Sequence, residues 1–119
     1  MNPEELANMA WSYAKMKARC NKKHVSIIVR GDEIVSIATN GFEVPERYAH
    51  RGYRSLHSEV AAFMKLDCPR NNLELYNFRF NNQGTLKISK PCKKCEPWVD
   101  ALFDMCIYST DEGKFKYLK

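Results

Sequence analysis

The chain is expected to fold as an α/β protein, a mixed β-sheet with helices packed on it. Three observations lead there. Two β-rich runs meet at Gly31-Asp32, as the strands of a hairpin do. Segments of helical period alternate with further β-rich runs, in the order α-β-β-α-β-α-β-β. The chain has 119 residues, 45% of them hydrophobic, which suffices for one core and leaves no room for a second domain. Residues 1–119 therefore read as a single domain.

Residues 3–20 read as an amphipathic helix. Leu6, Met9, Ala10, Tyr13, Met16 and Cys20 recur at three- and four-residue steps. Asn2 suits the cap, and Pro3 suits the first turn, where its missing N–H costs nothing. Trp11 falls off this apolar stripe. Residues 24–30 and 33–39 are the two strands of the hairpin, and Asn40-Gly41 ends the second. His24, at a strand start, is expected to be structural. Residues 40–56 keep no period and form a long loop carrying Phe42, Tyr48, His50 and Tyr53.

From His57 the pattern turns helical. His57, Val60, Ala61 and Met64 share a face, Ser55 is the expected cap, and Pro69 stops the helix near Asp67. Residues 73–80 alternate as a strand, with Leu73, Leu75, Phe78 and Phe80 apolar and a shift of phase around Tyr76. Residues 81–84 turn, and residues 85–89 extend again. A third helix is expected to open at Cys92, with Trp98, Val99, Leu102 and Phe103 as its core face. Pro97 is tolerable there only in the first turn. Residues 105–109 and 115–118 are the last strands. Their connection is too short for a parallel crossover, so they should form an antiparallel hairpin.

Composition narrows the function classes. No apolar run approaches the length of a membrane span, and Glu4, Glu5 and several lysines break any signal-peptide layout. A cytoplasmic protein without membrane contact is expected. Five cysteines, an odd number, argue against a disulfide framework. Cys20, Cys68 and Cys106 read as small buried or partly buried side chains, whereas Cys92 and Cys95 have the spacing of metal ligands. The formal charge of +5 favours a phosphate-bearing partner. Lys15, Lys17, Arg19, Lys22, Lys23 and Arg30 suit a solvated face. Arg47, Arg51 and Arg54 run directly into His57, where a phosphate or a nucleobase would be met.

The chemistry resides in His57-Ser58-Glu59 and Pro91-Cys92-Lys93-Lys94-Cys95. One imidazole and two thiolates are three ligands for zinc, and a catalytic zinc keeps its fourth position for water. The metal makes hydroxide accessible near neutral pH. A carboxylate two residues after the histidine is well placed to move protons, so Glu59 is the expected general acid and base. A structural zinc site would require a fourth ligand, and none stands at a recognisable spacing. His50 is the weak candidate for one. A redox Cys-x-x-Cys would leave His57 and Glu59 without a role.

With these residues the chain resembles the cytidine deaminase superfamily, over about residues 25–108. The resemblance implies a three-layer α-β-α fold around a five-stranded mixed sheet. It implies zinc held by His57, Cys92 and Cys95, with zinc-bound hydroxide attacking the ring and Glu59 as proton shuttle. It also implies substrate contacts from Asn40, at the end of the second strand, and from Ser58 and Tyr108. Ser89-Lys90 and Ile107-Tyr108-Ser109 fit the family pattern. The histidine ligand leans toward the deoxycytidylate, polynucleotide-editing and guanine branches. The antiparallel end is closer to compact members, some of which act on nucleic acid.

The expected activity is thus hydrolytic deamination of a cytosine-bearing nucleoside or nucleotide, releasing ammonia, in nucleotide metabolism. The alternatives are the same chemistry on single-stranded RNA or DNA, and a non-catalytic zinc-bearing binding module. Association of like chains is expected for so small a core, with Trp11 and Trp98 as candidate contacts.

Overall fold

The computed structural model describes residues 2–17, 23–40, 42–43 and 55–119. The elements in chain order are α1 (Pro3–Lys17), β1 (Lys23–Arg30), β2 (Glu33–Thr39), β3 (Phe42–Glu43), β4 (Ser55–Leu56), α2 (Ser58–Met64), β5 (Leu73–Phe80), β6 (Leu86–Lys87), α3 (Glu96–Leu102), β7 (Met105–Ser109) and β8 (Phe115–Tyr117). The main sheet has the order β2-β1-β5-β7-β8, and β6 pairs with β5. The expected five strands are thus joined by a sixth. β1 occupies one edge of β5 along its whole length, so β6 must lie on the other edge, beyond the end of β7.

The β1–β2 hairpin turns through Gly31 at a φ of 64°, a conformation that suits a residue without a side chain. β5 and β7 are the parallel pair, and α3 makes the crossover between them. β7 and β8 are antiparallel, as the short connection requires. β3 and β4 form a small separate antiparallel pair that period alone does not reveal. Two paired residues are too few to show an alternation.

Helices cover both faces. On one, Leu6, Ala7, Ala10 and Ala14 of α1 pack against Val25, Ile27, Val29, Tyr76, Phe78 and Ile107. On the other, Ala61 and Ala62 of α2 and Val99 of α3 pack with Ile28, Leu73, Leu75, Phe103 and Cys106. The layers are therefore α-β-α. β5 is central and buried on both faces, which accounts for the phase shift seen around Tyr76. Odd positions from Leu73 face α2 and α3, and even positions from Tyr76 face α1.

The α1 stripe differs from the expected one. Met9 and Met16 are 47% and 79% exposed, and small alanines take their place against the sheet. The helix axis thus sits close to the strands, where a long side chain in place of Ala10 or Ala14 would not fit. Trp11 seals the end of that face against Phe80, with ring centroids 5.3 Å apart. Trp98 packs against Phe63 and Phe103. Both tryptophans therefore have partners inside the chain. Cys20, Arg47, Tyr48, His50, Arg51, Tyr53 and Arg54 lie outside the described residues.

Candidate metal centre

Two loop-to-helix junctions meet on the face that carries α2 and α3. His57 is the N-cap of α2, with extended backbone and no side-chain capping bond. Ser55, the expected cap, belongs to β4 instead. Cys92 and Cys95 flank a tight turn that precedes α3. The Cys92 carbonyl accepts the N–H groups of Cys95 at 3.0 Å and Glu96 at 2.9 Å. α3 thus starts at Glu96 and not at Cys92, and Pro97 lies in its first turn. This turn aims both sulfurs at His57.

The donor atoms of His57, Cys92 and Cys95 all lie within 4.8 Å of one another. His57 Nδ1 is 3.3 Å from Cys95 Sγ and 3.6 Å from Cys92 Sγ. A tetrahedral zinc with nitrogen at about 2.0 Å and sulfur at about 2.3 Å sets those atoms about 3.5 Å apart. The donor set and its spacing therefore fit a metal ion. Among the described residues no fourth His, Cys, Asp or Glu joins the cluster. Cys95 is buried, His57 half-buried and Cys92 exposed, so the site opens to solvent on one side.

That open side leads into a cavity of about 190 Å³. Its floor is made of buried Ser58, Glu59, Asn77 and Ser89. Its rim holds His24, Asn40, Lys90 and Cys92. Glu59, 4% exposed, is thus the single carboxylate lining the cavity among the described residues. Its Oε1 accepts from the Ser58 hydroxyl at 3.1 Å.

Behind the floor runs a chain of hydrogen bonds. The hydroxyls of Ser58 and Ser26 are 2.8 Å apart, and Ser26 donates to Asn77 Oδ1, so the single Ser58 proton is shared between Ser26 Oγ and Glu59 Oε1. Asn77 Nδ2 donates to the Ser89 carbonyl at 3.0 Å, and Ser89 Oγ donates back to the Asn77 carbonyl at 2.7 Å. These bonds lock β1, β5 and the segment before Pro91 together at the cavity. A buried polar group without such a partner would cost about 1–3 kcal/mol.

Asn40 lines the rim, and its Oδ1 accepts the His24 N–H at 3.1 Å. Ser58 lines the floor. Tyr108 is buried on β7 opposite Asn77 and does not line the cavity. His24, expected to be structural only, reaches the rim. Asn77, Ser89 and Lys90 also line the cavity, and sequence reasoning gave Asn77 no role. Asn77 follows Leu73 and Leu75 on that face of β5. That lone amide among Leu73 and Leu75 was the available signal.

Cys106, under the same face, has its thiol pushed up to about 12 by burial and secondarily by the charge of Glu59. It stays protonated near neutral pH and is not among the three clustered donors.

Compared with models of protein families and with curated proteins, the chain matches none. The geometry above is therefore the ground for any functional reading. Among the described residues, no helix is long and apolar enough to cross a membrane.

Proposed function

We propose that the chain is a zinc-dependent hydrolytic deaminase of a cytosine-bearing nucleoside or nucleotide. The observation that carries this reading is the convergence of His57, Cys92 and Cys95 beside a cavity whose floor holds Glu59. That constellation, on an α-β-α scaffold, resembles the cytidine deaminase superfamily. His57, Cys92 and Cys95 would hold the ion. When bound, zinc supplies Lewis-acid chemistry that brings the pKa of water toward neutrality.

The chain's own residues do the rest. Glu59 takes a proton from the attacking water and delivers it to the ring nitrogen beside the amine-bearing carbon. The water oxygen bonds to that carbon. Glu59 then carries the second proton to the amine, the carbon–nitrogen bond breaks, and ammonia leaves a carbonyl behind. Ser58 holds Glu59 Oε1, and the Ser26–Asn77–Ser89 bonds hold Ser58. Asn40, tied to the backbone of β1, presents its amide on the rim for a sugar hydroxyl or a base edge.

The test is a deamination screen of zinc-loaded protein on cytidine, deoxycytidine, their monophosphates, guanine, adenosine and single-stranded oligonucleotides. Release of ammonia and the product mass are the readouts. Glu59→Ala should lower turnover by about 10²-fold or more while retaining the metal. An active Glu59→Ala would sink the proton-shuttle assignment.

A second reading is supported by the exposed Lys90, Lys93 and Lys94 around Cys92. These residues suit a polynucleotide strand, and activity on one should weaken steeply with salt.

A further inference from the structure

The cavity rim carries the ammonium of Lys90 on one side, and the chemistry at the base does not use that charge. His24 and Lys90 line the rim, and no carboxylate lines it among the described residues. Lys90 is exposed there and His24 half-buried. Arg79 does not itself line the cavity. It stands directly opposite His24 in the β1–β5 register, and opposite Lys87 in the β5–β6 register. Alternation along β5 puts Arg79 on the same face as Asn77, which lines the floor.

Among the described residues, two buried side-chain polar atoms lack a hydrogen-bond partner: Thr39 Oγ1 and Arg79 Nε. Thr39 is opposite Val25 and so faces the α1 side. Arg79 lies on the opposite side of the sheet, the one that carries α2 and α3. Its Nη1 makes only a long bond of 3.5 Å, to the Ile88 carbonyl. A guanidinium with an unpartnered buried N–H is a donor awaiting an acceptor.

Size points the same way. A cavity of about 190 Å³ is smaller than the roughly 300 Å³ at which sites enclose a drug-sized ligand. A base and part of its sugar would fill it, which leaves the rest of a nucleotide at the rim.

We propose that His24, Arg79 and Lys90 form an anion subsite and that the substrate carries a phosphate ester there. This rests on the deaminase reading for the base, but the subsite itself can be tested without turnover. Charge-assisted bonds from a guanidinium and an ammonium are the strong ones for phosphate. The phosphate can belong to a mononucleotide or to a strand, and the arms of the experiment separate the two.

The experiment has two parts. In the first, inorganic phosphate is titrated into the full chain and followed by NMR, with cytidine 5′-monophosphate and a single-stranded oligonucleotide as competitors. Shifts confined to the signals of His24, Arg79 and Lys90, and lost in Lys90→Gln, are expected. In the second, kcat/KM is compared for cytidine 5′-monophosphate and cytidine. Lys90→Gln should reduce the preference for the monophosphate about tenfold or more, Lys90→Arg should restore it, and Lys116→Gln on β8 should leave it in place.

Displacement by the mononucleotide supports a mononucleotide site, and displacement by the oligonucleotide alone supports the same subsite read on a strand. Phosphate binding at Lys90 without turnover of any base would uphold the subsite and refute the deaminase reading. Equal turnover of nucleoside and monophosphate, with no phosphate-induced shifts, would overturn the subsite and leave the deaminase reading standing.

Discussion

Cys106 shows how a single buried proton affects the whole fold. The thiol has no exposed surface, and its pKa rises from 9.0 to about 12, through burial first and the Glu59 charge second. Below pH 9 folded and unfolded chains both keep this proton, and it makes no difference to stability. Between about pH 9 and 12 the unfolded chain releases it and the folded chain does not. Unfolding is then accompanied by proton loss, so stability falls as pH rises, by up to about 1.4 kcal/mol per pH unit. Burial, followed by the charges of Glu74 and Tyr117, raises Tyr76 as well and adds to the fall at higher pH. Urea unfolding at pH 8 and at pH 10.5 should show a steeper loss in the native chain than in Cys106→Ala. Equal slopes would mean that the thiol ionises as easily folded as unfolded. The site residues belong to this scale too. Their identities were legible because His-x-Glu and Cys-x-x-Cys each state a chemistry in one short run. Asn77, Arg79 and His24 were not, because each depends on which face its strand presents.

At the scale of elements, the turn after β5 bears on α1. Asn81 Oδ1 accepts the N–H groups of Gln83 at 2.9 Å and Thr85 at 3.0 Å, which folds the turn back on itself. Gly84 sits there at a φ of 85°, and a Cβ placed on it would lie 2.8 Å from the Trp11 ring. Gly84→Ala would therefore meet a strained backbone and a fixed indole together. A loss of about 1–3 kcal/mol is expected, read as a lower urea midpoint with an unchanged slope. A neutral substitution would show that Trp11 can move away from Phe80 without cost. Of the expected α1 stripe, Leu6 and Ala10 are buried and Tyr13 packs against the same core, whereas Met9 and Met16 are exposed for a related reason. Period three-to-four locates a helix but is satisfied by several neighbouring stripes. Close approach to the sheet selected the one made of Ala7, Ala10 and Ala14.

For the molecule as a whole, the candidate metal centre joins segments far apart in the chain. His57 and Cys95 are 38 residues apart, and the two sides meet through the β5–β7 pair and its α3 crossover. A bound ion would therefore stabilise the fold by mass action. At a free metal concentration 100 times Kd, the gain is about 2.7 kcal/mol. Calorimetry should show the zinc-loaded protein melting higher than protein dialysed against a chelator, and Cys92→Ser should lose most of that difference. A melting temperature indifferent to chelation would argue that these three donors hold no ion.

The sequence by itself determined the kinds of element, most of their bounds, the antiparallel end and the three donors with their carboxylate. These follow from local rules: side-chain period, turn residues, the minimum length of a crossover and ligand spacing. Only the tertiary structure decided the face of α1 that is buried and the addition of β6 at the edge of β5. It also decided the passage of Asn77 and Arg79 to the site face and the placement of His24 and Lys90 on one rim. Those depend on the register between strands distant in sequence. A shift of one residue in a strand sends every side chain to the other face, and no local pattern carries that information when both faces are covered.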